Sequence, residues 1–344
     1  MPSATHTHKQ VWWRQLMLLL ILLCVFLILD LSVGSVNIPV GAIIDDLLGN
    51  DIKASWHQIL LNFRLPKAIT AIMVGMGLGV TGMHMQTFFR NPLAGPFVLG
   101  ISSGASLGVA LLIMAGTTFG FAQSAGLTAL AAAVGASAVM VLVVITAIRL
   151  RDNMSLLIVG LMFGSATGAI VSILQFFSQA ESIQSYLSWT FGSLGTVTWD
   201  KMIVFFPVIL TGLVGSIALL KPLNTLLLGE NYAMSMGINI KRTRLLIVVI
   251  SSLLAGTITA FCGPIAFIGV ALPHLTRMIF NTSDHRYLFP LLLLLGAIVM
   301  LICDLIAQLP GSEHTLPINA VTAILGAPVV IWIIISRGNL KRFF

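Results

Sequence analysis

Ten apolar runs follow one another along the chain, at about 16–36, 65–88, 96–116, 121–148, 154–178, 202–220, 245–262, 265–280, 287–308 and 318–336. Most approach the roughly 20 residues an α-helix needs to cross the hydrocarbon core of a bilayer. Only 8% of the 344 residues are charged, while 58% are hydrophobic. Soluble domains carry about 25% charged residues, and a single soluble core stops growing near roughly 250–300 residues. The chain lacks the charge to cover a water-facing surface of its size. The expected fold class is therefore all-α, a polytopic membrane protein of ten transmembrane helices, with residues 1–344 forming a single domain. The runs are continuous rather than alternating, which excludes a barrel of strands. Gly and Pro inside several runs fit membrane helices, where neighbours satisfy the freed backbone groups.

The net charge of +7 takes its meaning from position, because Lys and Arg collect in cytoplasmic loops. With the first residue inside and ten crossings, only Lys53, Arg64, Lys67 and Lys201 of the 18 Lys and Arg residues fall outside. Removing one crossing would flip everything after it and destroy this asymmetry. Both termini are then cytoplasmic. His8, Lys9 and Arg14 precede the first run and no small-residue cleavage site follows it, so it reads as an uncleaved first span.

Two loops carry further signals. The external loop 179–201 has Trp189 and Trp199 near its ends, which suits a short helix at the membrane–water boundary. The cytoplasmic loop 221–244 reads KPLNTLLLGENYAMSMGINIKRTR. Leu223, Leu226 and Leu227 recur at helical spacing and Gly229 can stop a helix, so two short helices are expected. On pattern alone they suit either a protein partner or the lipid surface. Internal repetition is weak; two units of five spans would have to be inverted, as in many transporters.

Catalytic motifs are missing from the sequence. No GxxxxGK[ST], HExxH or paired-carboxylate pattern occurs, so no cofactor is expected and any ATP must be bound by another chain. Cys24, Cys262 and Cys303 read as small buried hydrophobes, and His84 and His274 as packing or backbone-bonding residues without metal-ligand neighbours. Met73, Met76, Met83 and Met85 favour packing over a relay of soft metal ions. Asp30 lies near the external edge and can reach water there. Asp304 is deeper, and either carries a proton in a secondary transporter or bonds a neighbouring helix. Gly160, Gly164 and Gly168 lie four apart on one helix, as do Gly75 and Gly79 on another. Such stripes permit close helix approach, inside one subunit or along an interface or path.

The stretch RLPKAITAIMVGMGLGVTGMHMQTFFRNPLAGPFVLGISSG, from Arg64 to Gly104, resembles the FecCD family of ABC-importer permeases. GPIAFIGVALPHLTR, SDHRYLFP, Asp304 and LPINAVTAILGAP extend the resemblance through the second half, in order and with matching spacing. The resemblance implies the type II importer permease fold, in a bacterial inner membrane, and ATP-driven uptake of iron complexes (ferric siderophores or haem) or cobalamin. It implies a homodimer with the substrate path along its axis, two ATPase subunits on the cytoplasmic face and a substrate-binding protein outside. It makes loop 221–244 the coupling element, with Leu226, Leu227, Gly229, Glu230, Met236 and Gly237 at the ATPase. Arg64 and Lys67 match bases that meet the binding protein, whereas Gln308 stands where some relatives have a third Arg. Asn153 and Met154 match an inner gate, with Gly160, Gly164 and Gly168 above it on the path. A proton-coupled transporter using Asp304 is the competing expectation.

Overall fold

The computed structural model describes residues 4–116, 124–150, 153–309 and 315–335. Fifteen α-helices and no strands are found among the described residues. Seven helices are long and apolar enough to cross a membrane, and three shorter apolar helices, Ile101–Ala115, Ile268–Phe280 and Ile318–Trp332, complete the expected ten.

The long helices are α1 (Ala4–Ser32), α4 (Leu65–Phe89), α6 (Ala125–Arg149), α7 (Asn153–Phe177), α9 (Trp199–Ile217), α12 (Ile240–Cys262) and α14 (His285–Ala307). The shorter crossings are α5 (Ile101–Ala110, extended by a π-turn to Ala115), α13 (Ile268–Phe280) and α15 (Ile318–Ile335). Short helices α2 (Val40–Leu47), α3 (Ala54–Ile59) and α8 (Ala180–Thr190) sit at one end of the bundle, while α10 (Leu220–Leu227) and α11 (Glu230–Ser235) sit at the other. The short helices expected within 179–201 and 221–244 are thus present.

α4 is the hub, with 83% of its most apolar window buried. α14, α12, α13 and α9 surround it. Glycine makes this crowding possible: a methyl group on Gly75 would strike the backbone of Gly296 in α14, and one on Gly82 the backbone of Gly269 in α13. The Gly75 end of that stripe is therefore ordinary packing, as membrane helices use it. Cys262 and Cys303 are buried as expected, but Cys24 is exposed on the outward face of α1.

Several helix starts differ from the hydropathy reading, and two have a clear local cause. The second crossing begins at Ala54 rather than 65, because α3 continues through a π-turn, Leu60–Arg64, into α4. Pro66 lacks an N–H, and the widened turn lets the Leu65 N–H reach back to the Leu60 carbonyl. The eighth crossing starts three residues late, at Ile268. Gly263 (φ 76°) and Phe267 (φ 64°) hold the preceding segment out of the helix, and Asn319 Oδ1 accepts the Ala266 N–H at 3.0 Å. Irregular backbone at membrane depth is tolerated where protein buries it, and Ile265 is 1% exposed.

Candidate functional site

The end holding α10 and α11 also holds the start of α1, where Trp12 Nε1 donates to the Tyr287 carbonyl. Arg90, Arg149, Lys221, Lys241, Arg242, Arg277 and Arg286 lie at this end, so the basic asymmetry is a property of the folded bundle as well as of the sequence. Gly229 separates α10 from α11 with φ 119°, a region side chains rarely adopt. Leu223, Leu226 and Ala233 turn inward. Leu228, Tyr232, Met234 and Met236 are exposed, each by half or more. Of the expected coupling residues, Met236 and Gly237 are exposed, Leu227, Gly229 and Glu230 are half-buried, and Leu226 is part of the core. Leu228 and Tyr232 lie within the segment Leu226–Met236 that the sequence marks for coupling, and both side chains are exposed.

α10 is tied to the bundle by polar side chains that the sequence reading also missed. Asn224 Oδ1 accepts from the His285 backbone N–H at 2.8 Å and lies 2.6 Å from His285 Nδ1. Asn224 Nδ2 donates to Asp284 Oδ1 at 2.6 Å, the same oxygen that caps α14 through the Arg286 N–H. His285 Nε2 lies 3.0 Å from Thr87 Oγ1 on α4. Arg90, in the left-handed conformation that ends α4, donates to the Leu226 carbonyl at 3.1 Å. One layer deeper, Gln86 Nε2 donates to the Val270 carbonyl at 2.8 Å and Arg277 Nη1 donates to Gln86 Oε1 at 2.6 Å. His84 is packed against Ser251, 3.1 Å from its hydroxyl.

The opposite end has a second polar network. Arg64 is 8% exposed. Its guanidinium donates to the carbonyls of Leu31 at 2.5 Å, Ser32 at 2.9 Å and Val36, closing the last turn of α1 and the chain beyond it. Lys67 Nζ lies 2.9 Å from Asp304 Oδ2. Gln308 Nε2 donates both to Asp304 Oδ2 at 2.8 Å and to Asp30 Oδ1 at 3.0 Å. Asp30, expected to reach water, is 1% exposed and accepts from Gln308. Of the two bases expected to face outward, Arg64 is largely buried against the end of α1 and the chain beyond it. Lys67 keeps a partly exposed side chain, on the wall between two clefts of about 490 and 310 Å³.

The α7 residues divide. Met154 is exposed; the Asn153 side chain lies outside the described residues. Gly160 is buried, and a methyl there would strike the Val98 carbonyl. At Gly164 a methyl would meet Ser103 Oγ at 3.4 Å, ordinary contact, and at Gly168 it would meet nothing. Successive residues four apart drift by about 40° around a helix. The stripe therefore begins inside the subunit and emerges onto a face that this subunit leaves open.

The profile of the FecCD transport family matches residues 20–336. The chain belongs to the FecCD transport family. It is 33% identical over 314 residues to the hemin transport system permease protein of Yersinia pestis, covering 90% of this chain and 93% of that one. It is 34% identical over 345 residues to the vitamin B12 import system permease protein of Klebsiella pneumoniae, covering 98% and 99%. Among solved structures it matches an inward-facing ABC transporter provisionally assigned to the metal-chelate type, with TM-score 0.82 and 30% identity over 93% of this chain and 98% of that one. This FecCD permease is thus a multi-pass membrane transport protein with the all-helical fold expected for it.

Proposed function

We propose that this FecCD permease is the membrane subunit of an ATP-driven importer for a bulky chelate: a ferric siderophore, haem or cobalamin. It works as a homodimer, with two ATPase subunits on α10 and α11 and a substrate-binding protein at the opposite end. Loop 221–244 carries this reading. Leu228, Tyr232, Met234 and Met236 are apolar side chains exposed at the basic, cytoplasmic end, on a helix pair fastened to the hub. Contiguous exposed apolar side chains mark a protein or membrane contact, and the family match favours the protein.

The exposed face of α7, including Gly164, Gly168 and Met154, supports a two-fold axis there, with Asn153 at its cytoplasmic end. Lys67 supports docking of an acidic binding protein. Arg64 contributes by holding the chain after α1 in place. The proton-coupled alternative is disfavoured because Asp304 is already engaged by Lys67 and Gln308. Growth rescue decides the substrate. A strain lacking the importer, supplied with this chain and its ATPase and binding protein, should grow on one of haemin, a ferric siderophore or cobalamin. Rescue by none of the three would overturn the chelate assignment.

A further inference from the structure

α4 and α14 are joined at three levels. At the coupling end, His285 joins Asn224 of α10 to Thr87 of α4. In the middle, Gly75 and Gly296 bring the two backbones together. At the opposite end, Lys67 of α4 pairs with Asp304 of α14, and Gln308 carries the link to Asp30 of α1. We infer that α4 and α14 form one rigid strut running between the two ends of the protein, and that Asn224 and His285 are the positioning residues that fasten α10 to it. The inference rests on the reading that α10 and α11 meet an ATPase.

The hydrogen bonds fix each other's direction. The Asp284 carboxylate can only accept, so the Asn224 amide nitrogen faces it and Oδ1 faces His285. Oδ1 can only accept, so His285 Nδ1 carries a proton; with the ring neutral, Nε2 accepts from the Thr87 hydroxyl. His285 is fully buried and Thr87 is 1% exposed, where no water replaces a lost partner. A displacement of α10 therefore cannot be absorbed by one bond letting go without leaving a buried polar group unsatisfied. Packed interiors transmit such displacements because they are dense. The contact to α14 is made by α10, so α11 is free to be the surface that is pushed and α10 the element that transmits.

Two measurements test this. In vesicles containing the permease, its ATPase and its binding protein, substrate taken up per ATP hydrolysed should fall about 3- to 10-fold in Thr87→Val, the equivalent of losing one buried hydrogen bond. Asn224→Ala should fall at least as far. Thr87→Ser, which keeps the hydroxyl, should keep the wild-type ratio. In the permease alone, with Cys24→Ser as background, spin labels at Leu228→Cys and Ile306→Cys report the distance from α10 to the far end of α14. That distribution should be narrow in the wild type and wider in Thr87→Val and Asn224→Ala. An unchanged uptake-to-hydrolysis ratio in both variants overturns the transmission role whatever the distances show. If wild-type uptake itself does not need ATP, the importer reading fails; if it does and the variants keep the wild-type ratio, the strut assignment alone fails.

Discussion

Lys67 Nζ sits 2.9 Å from Asp304 Oδ2, and the carboxylate it meets is 2% exposed. A base expected to face outward is thus also the counter-ion of a buried carboxylate. Removing one member of a buried pair leaves an uncompensated charge, which costs about 3–5 kcal/mol. Because Lys67 is partly exposed, Lys67→Met should fall at the low end, about 3 kcal/mol, read as a lower melting temperature of the detergent-solubilised protein. Adding Asp304→Asn should recover most of that loss. Additive losses in the double variant would mean that the pair is not coupled.

Arg64 supports the chain after α1. Arg64→Lys keeps the charge but cannot reach three carbonyls from one ammonium position. Amide exchange should quicken across residues 33–39, while binding-protein affinity should change less than in Lys67→Glu. Exposed ion pairs are worth about 0–1 kcal/mol and are screened by salt. The Lys67→Glu effect should accordingly shrink in high salt. Equal affinity losses for both substitutions would return Arg64 to the docking surface.

Gly229 adopts φ 119° between the two coupling helices. Valine there costs about 1–3 kcal/mol of backbone strain and should turn α11 away from its docked direction. Gly229→Val should fold, reach the membrane and lose ATPase stimulation by substrate. Wild-type stimulation in a correctly assembled variant would separate Gly229 from coupling.

The α7 glycines should respond differently to one methyl group. Gly160→Ala collides with the Val98 backbone and should cost about 1–3 kcal/mol of overpacking strain. Gly164→Ala makes only an ordinary contact within the subunit; it should keep the melting temperature and slow uptake. Single cysteines at Met154 and Gly168 should cross-link between two copies. Failure of both to cross-link, together with unchanged uptake in Gly164→Ala, would place α7 away from the two-fold axis.

These contrasts mark what the sequence made legible. Crossings were readable because hydropathy registers transfer into lipid, and each long run pays no polar cost along its length. The start of α13 was not, because the φ of Phe267 and the cap from Asn319 depend on contacts with distant segments. Asp30 was read as reaching water and Gln308 only as the replacement of an Arg in relatives, whereas in the fold Gln308 bridges Asp30 of α1 and Asp304 of α14. A polar residue at the edge of a span can be satisfied by water or by a buried partner, and hydropathy does not distinguish the two. Asn224 and His285 were hidden for a similar reason: they lie 61 positions apart, and their chemistry appears only when α10 folds back on α14. The family resemblance pointed to loop 221–244, but not to the side chains that fasten it.

On the proposed function, ATP hydrolysed by ATPase subunits docked on α10 and α11 drives uptake. The most direct measurement is uptake of the rescuing chelate into vesicles holding the permease, its ATPase and its binding protein, with ATP on the ATPase side and a proton ionophore present. Uptake that persists with the ionophore and stops when ATP is replaced by a non-hydrolysable analogue is the predicted result. Uptake that collapses with the ionophore and ignores ATP would contradict the account and restore the proton-coupled reading.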